Sequence, residues 1–226
     1  MNSPVCLYRP DALTVDEKQV LRYMGCGCGK IGPEVLAIAS QAVREAQEEA
    51  QPACCYLRLP VQVKEDCIDF QFMQVRSRNL YQNLRDCREV FWIGATAGLK
   101  LDRCIRRWER VSPVRALALD AAGAAAVEDL CGRLQNELES RMAAEGFFLR
   151  PRFSPGYGDF PLEAQKEIVK ALDMGRKIGV TLTDSLMLTP SKSVTAVIGI
   201  SSRPVSCFRK NEPCGSCEAL DCPYRA

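Results

Sequence analysis

Arg152-Phe153-Ser154-Pro155-Gly156-Tyr157-Gly158-Asp159-Phe160-Pro161 is the stretch on which the reading of this chain turns. It sets a permanently charged guanidinium beside two glycines and an exposed-type aromatic ring. An arginine clamps a carboxylate through paired hydrogen bonds. A glycine lets a ligand approach the main chain. A tyrosine ring faces a cation, a sulfonium included. Read from its residues alone, the stretch is also a Pro/Gly turn joining a strand to a helix.

The flanking sequence supports that placement. Upstream, Phe147–Arg152 is strand-like. Downstream, Pro161 opens a helix that runs to about Arg176. Thr183–Leu188 and Val194–Ile200 read as two further strands. Ser112 and Pro113 open a long helix over 113–142, with an apolar stripe through Leu117, Val127, Leu130, Cys131, Leu134 and Leu138. Its small residues Ala121–Ala126 allow a neighbouring backbone to come close.

Further toward the N-terminus, Glu89–Ala95 is a buried-strand candidate ended by Gly94-Ala95-Thr96-Ala97-Gly98. That turn lacks the dinucleotide fingerprint and reads as a tight strand–helix connection. Residues 16–24, 33–50 and 77–87 are expected to be helical, and Cys54–Val61 and Cys67–Phe72 to be strands. Gly25-Cys26-Gly27-Cys28-Gly29 lacks phosphate-loop spacing; Cys26 and Cys28 are candidates to reach a metal, but the stretch reads better as a turn with incidental thiols. Lys100, Arg103, Arg106, Arg107 and Arg110 make a basic helix over 99–110, a solvated face or a docking surface for an acidic partner. The pattern predicts an α+β protein with a mixed or antiparallel sheet flanked by helices.

Composition excludes several functions. The 226 residues carry 30 Lys+Arg against 28 Asp+Glu, a net charge of +2, so no nucleic-acid footprint is expected. No apolar run has the roughly 18–20 residues of a membrane helix. Residues 1–10 have no apolar signal core, which predicts a cytoplasmic protein. The chain has no histidine, which rules out Ser-His and Cys-His catalytic pairs and any imidazole ligand to a metal.

The 13 cysteines are an odd number, expected as thiols or metal ligands in a reducing compartment. Four of them, Cys207, Cys214, Cys217 and Cys222, fall within residues 207–222, with a Cys-x2-Cys knuckle at the centre. That density suits one soft ion, zinc or an iron–sulfur cluster, without deciding between them.

The residues from 152 to 201 resemble the activation, S-adenosylmethionine-binding, domain of cobalamin-dependent methionine synthase. The loop is similar to that family's Arg-Pro-Ala-Pro-Gly-Tyr. Ile178-Gly179-Val180-Thr181-Leu182-Thr183-Asp184-Ser185 resembles its Ile-Gly-Met-x-Leu-Thr-Glu-Ser, and Pro190-x2-Ser193-Val194-Thr195 its Pro-x-x-Ser-Val-Ser. The resemblance divides the chain into an activation-domain-like part, 1–200, and a cysteine-rich tail, 201–226, that is foreign to the full-length enzyme's domain.

The resemblance implies S-adenosylmethionine-dependent reductive reactivation, by remethylation, of a corrinoid that has oxidised to Co(II). With no corrinoid-binding Asp-x-His-x-x-Gly, the cobalamin is expected on a separate methyltransferase such as methionine synthase. Activity is thus expected only together with that partner. The expected source of the electron is the cysteine centre if that is iron–sulfur, and a flavodoxin-like or ferredoxin-like protein if it is zinc. By the same resemblance Arg152 clamps the ligand carboxylate, Ser154 and Gly156 offer main-chain groups, and Tyr157 lines the site. A ligand-contacting carboxylate on the long helix corresponds to Asn136, with Glu137 and Asp129 nearby. The alternative is an iron–sulfur or zinc module for electron transfer or interaction in a corrinoid system, with a degenerate methyl-donor site.

Overall fold

Val90, Trp92, Phe91, Ile93 and Ala95 are buried on alternate faces of one strand, so apolar layers cover both sides of the sheet it belongs to. The computed structural model describes residues 4–26 and 31–204. In chain order the first half runs β1 (Cys6–Tyr8), α1 (Glu17–Tyr23), α2 (Pro33–Glu49) and β2 (Ala53–Pro60). Three short strands follow, β3 (Gln62–Val63), β4 (Ile68–Asp69) and β5 (Gln74–Val75), then α3 (Arg78–Leu84) and β6 (Cys87–Thr96). The second half holds α4 (Leu99–Val111), α5 (Pro113–Ala144), β7 (Phe148–Leu149), a 3-10 turn (Leu162–Ala164), α6 (Gln165–Ala171) and α7 (Met174–Ile178). The hairpin β8 (Thr181–Leu182) and β9 (Leu188–Thr189) and the strand β10 (Ser193–Ser201) complete it.

The main sheet has the order β1-β2-β6-β10-β7, and every neighbouring pair is antiparallel. The expected α+β class is therefore observed, with the sheet antiparallel. Phe91, Ile93 and Ala95 of β6 and Ala196 and Ile198 of β10 face α1, α2, α4 and α5. The small residues expected to admit a close backbone do so: Ala39, Ala42 and Ala46 of α2 and Ala118, Ala121, Ala122 and Ala125 of α5 are buried in one cluster. Cys55, Leu57 and Leu59 of β2, with Val90, Trp92 and Val197, face the other way, toward α3, α6 and α7.

Three expectations need correction. The helix from Pro161 to about Arg176 is broken into a 3-10 turn and two short helices, with Asp173 left-handed at φ 50° between them. The break lets Ile168, Leu172, Met174 and Ile178 all enter the same core, which one straight helix would not allow. Of Thr183–Leu188, residues 183–187 are not strand but the turn of the β8–β9 hairpin, and only Leu188 belongs to a strand, β9. Cys67–Phe72 contains only the two-residue strand β4. The cysteine tail beyond residue 204 and the turn residues 27–30 lie outside the described residues. Among the described residues no helix is long and apolar enough to cross a membrane.

Candidate functional site

A cavity of about 800 Å³ opens between the start of β10, the loop 152–161 and the β8–β9 hairpin. The loop is held at both ends. Phe153 exchanges two backbone hydrogen bonds of 2.9 Å with Val197 of β10. Asp159 accepts from Ser77 Oγ at 2.5 Å and from the amides of Arg78 and Asn79 at 2.6 and 3.1 Å, which ties the loop to the start of α3. These bonds, Ser77 foremost, lower the Asp159 carboxyl below its ordinary range. The rings of Phe153 and Phe160 stack at 6.2 Å across the base of the loop.

Arg152 stands at the polar end of the cavity. Its Nη2 donates to Glu128 Oε2 of α5 at 2.9 Å. Cys131, one turn along α5, lies on the buried side of that guanidinium; burial pushes its thiol up to about 11, against the opposing pull of Arg152. The thiol is therefore neutral and contributes no charge to the site.

The opposite wall is fixed by two carboxylates of the helical layer. Asp102 of α4, 3% exposed, accepts from the Ser191 amide at 2.7 Å and from Ser191 Oγ at 2.9 Å. Lys192 Nζ reaches Asp120 of α5 at 2.6 Å. The segment before β10 thus has a set position beside Val194 and Ala196, which also line the cavity. Tyr157 and Met187, 67% and 61% exposed, line the cavity where it meets solvent.

The structure brings Arg152, Ser154 and Tyr157 together around this cavity. Gly156 is not among its lining residues; with φ 88° and its amide bonded to Phe160 O at 2.9 Å, it shapes the turn behind them. Asn136 and Glu137 are exposed on α5 away from the cavity, and Glu137 pairs with Arg141 at 2.7 Å. Asp129 instead bonds Arg133 at 2.7 Å and the Thr14 amide at 2.9 Å.

The carboxylate that meets Arg152 is Glu128, eight residues before Asn136, and so about 12 Å away along the helix axis. Sequence reading passed over it, although it stands three residues before Cys131 on the edge of the buried stripe. Gln165 and the turn 187–191 were missed as well, because their place in the site depends on tertiary packing.

The basic helix is partly a paired surface. Lys100 lies 3.3 Å from Glu49 and Arg107 lies 3.6 Å from Glu45, both on α2. Arg103, Arg106 and Arg110 remain exposed. Among the described residues no group of three Cys, Asp or Glu side chains converges as a metal site would require. The candidate ligands Cys207, Cys214, Cys217 and Cys222 lie outside them.

Residues 134–209 match the family model described as the activation domain of vitamin B12 dependent methionine synthase. Among solved structures the chain is similar to the MetH reactivation domain bound to AdoHcy, with 14% identity and a TM-score of 0.57. That match covers 92% of this chain and 81% of the other, and at such identity the likeness is one of fold. No curated protein matches the chain in sequence. The resemblance read from residues 152–201 thus holds both for the family model and for the fold.

Proposed function

We propose that the protein binds S-adenosylmethionine in the 152–196 cavity and serves the reductive reactivation of a corrinoid carried by a separate methyltransferase of the methionine synthase kind. The observation that carries this reading is the Arg152–Glu128 pair at the polar end of a largely apolar cavity. An amino-acid head group has a carboxylate and an ammonium side by side. Its carboxylate takes Arg152 and its ammonium takes Glu128, so one ion pair is exchanged for two and neither protein charge is left uncompensated.

Leu162, Leu188, Val194 and Ala196 shield the rest of the ligand from water. Tyr157, at the exposed end, sets its ring against the sulfonium. When bound, S-adenosylmethionine supplies the methyl group: its S–CH3 bond breaks and the methyl passes to the partner's Co(I), formed from Co(II) by one electron, leaving S-adenosylhomocysteine. This chain's part is positional, since moving a methyl from a sulfonium needs no acid or base. The electron comes from a flavodoxin-like or ferredoxin-like donor, or from a centre on the cysteine tail.

The test is a reconstitution. The protein, S-adenosylmethionine, a low-potential reductant and a corrinoid methyltransferase in its Co(II) state are mixed, and the cobalt spectrum is followed. Methylcobalamin is expected only when all four are present. Loss of Co(II) no faster than without the protein would refute the proposal.

A further inference from the structure

Gln165, the first residue of α6, is 7% exposed, yet it lines the cavity. Its Nε2 donates to Leu186 O at 2.8 Å, and its Oε1 accepts from Thr195 Oγ1 at 2.9 Å. A backbone carbonyl can only accept, so the nitrogen side of the amide must face Leu186 and the oxygen side Thr195. The amide cannot flip without placing two acceptors against each other.

Both anchors are themselves rigid. Thr195 of β10 is paired with Gly94 of β6 and is 2% exposed. Leu186 sits in the left-handed region at φ 63°, which a leucine adopts only when its surroundings enforce it. Its amide bonds Thr183 O at 2.9 Å, and Met187 N bonds Thr183 Oγ1 at 3.0 Å.

A glutamine amide has two N–H donors and two carbonyl lone pairs. The two protein bonds use one of each, which leaves a second donor and a second acceptor at fixed positions. Together with the reading of the cavity as an adenosyl site, on which this rests, we infer that Gln165 reads the adenine base, donating to N7 and accepting from the 6-amino group. This donor–acceptor edge is the one by which glutamine selects adenine elsewhere. Arg152 and Glu128 hold one end of the ligand in this arrangement, and Gln165 specifies the other.

The test compares S-adenosylhomocysteine with S-inosylhomocysteine, which carries a 6-oxo group in place of the 6-amino group, by calorimetry on the full chain. Wild type should bind the adenosyl ligand roughly tenfold more tightly or better. In Gln165→Met that ratio should fall to about one, because the side chain keeps its volume and loses both polar atoms. Thr195→Val, which leaves the amide but unlocks it, should lower the ratio as well, and it carries the test if Gln165→Met does not fold. A purely structural glutamine would weaken both ligands alike and leave the ratio unchanged, which overturns the inference while leaving the adenosyl reading intact. Wild type binding neither ligand overturns that reading and the inference with it.

Discussion

Arg152 and Glu128, 24 residues apart in the chain, meet at 2.9 Å and close the polar end of the cavity with a partly exposed ion pair. Arg152→Ala should weaken S-adenosylhomocysteine binding by about 2–4 kcal/mol, because the ligand's carboxylate loses its clamp and enters the cavity unpaired. Glu128→Gln keeps the shape and removes the charge, and should cost about 1–3 kcal/mol. The double variant should lose less than the sum, because both groups hold one head group. Calorimetry on the four proteins gives the cycle; strict additivity would mean that the two act on separate parts of the ligand.

The Asp102–Ser191 contact joins α4 to the segment before β10 across 89 residues of sequence. Asp102→Ala leaves a partly buried amide and hydroxyl without an acceptor. A loss of about 2–4 kcal/mol in urea unfolding is expected. Ligand affinity should fall with it, since Ser191 lines the cavity. Unchanged stability would show that water replaces the carboxylate at no cost.

These contacts mark where the sequence is informative. β6 and β10 are legible because Val90–Ala95 is continuously apolar and Val194–Ile200 is apolar but for Thr195, as strands covered on both faces require. α5 is legible from Pro113 and its stripe. The turn at 183–187 is not, because its apolar residues resemble a strand until the Gln165 amide, 21 residues earlier, captures Leu186 O. The loop 152–161 carries its own chemistry and could be found. Glu128 is one acidic residue among several on α5, and only the packing of that helix beside the loop selects it over Asp129 or Glu137.

Two glycines should respond oppositely to alanine. Gly98, at φ 96°, would place a Cβ 2.7 Å from Gln51 Cβ and 3.0 Å from the Gln51 carbonyl oxygen. The backbone cannot yield as a flexible side chain would, so Gly98→Ala should cost roughly 2–4 kcal/mol. Gly132 lies within α5 and has nothing within 4 Å of an added Cβ. Gly132→Ala should stabilise by about 0.4–1 kcal/mol through helix propensity and a less disordered unfolded chain. Thermal unfolding of both variants is a direct check; a destabilised Gly132→Ala would point to close packing at that face.

Buried thiols set an alkaline limit. Burial pushes Cys55 up to about 12 and Cys131 up to about 11, from an ordinary 9.0, and raises Cys54 in the same direction. A folded-state value above the unfolded one means that stability is complete below pH 9 and is lost as pH climbs toward 11 and 12. Cys131 alone accounts for roughly 2–3 kcal/mol of that loss once fully passed. The melting temperature should hold up to about pH 9 and then decline, and Cys131→Ala, at its own packing cost, should show a shallower decline. An equal slope in the variant would remove Cys131 from the cause.

The tail cysteines make a prediction that the rest of the chain helps to isolate. Cys54, Cys55, Cys87, Cys104 and Cys131 are buried among apolar neighbours, where a thiolate is disfavoured, and no metal-binding group of three or more side chains exists among the described residues. Cys6, Cys26 and Cys67 are half-buried and belong to no such group, and Cys28 lies outside the described residues. A tightly held soft metal is expected on Cys207, Cys214, Cys217 and Cys222, whose spacing contains the Cys-x2-Cys knuckle. The full chain, purified without oxygen, should contain one centre per chain. Zinc would leave it colourless, and an iron–sulfur cluster would make it brown with visible charge-transfer absorption. Cys214→Ser with Cys217→Ser should abolish the metal while leaving the melting temperature of the 4–204 body within a few degrees. Wild type with no metal by elemental analysis and four freely alkylated tail thiols would refute the assignment. The electron for cobalt would then have to come from an external donor, and the cavity chemistry at Arg152 and Glu128 would stand unaltered.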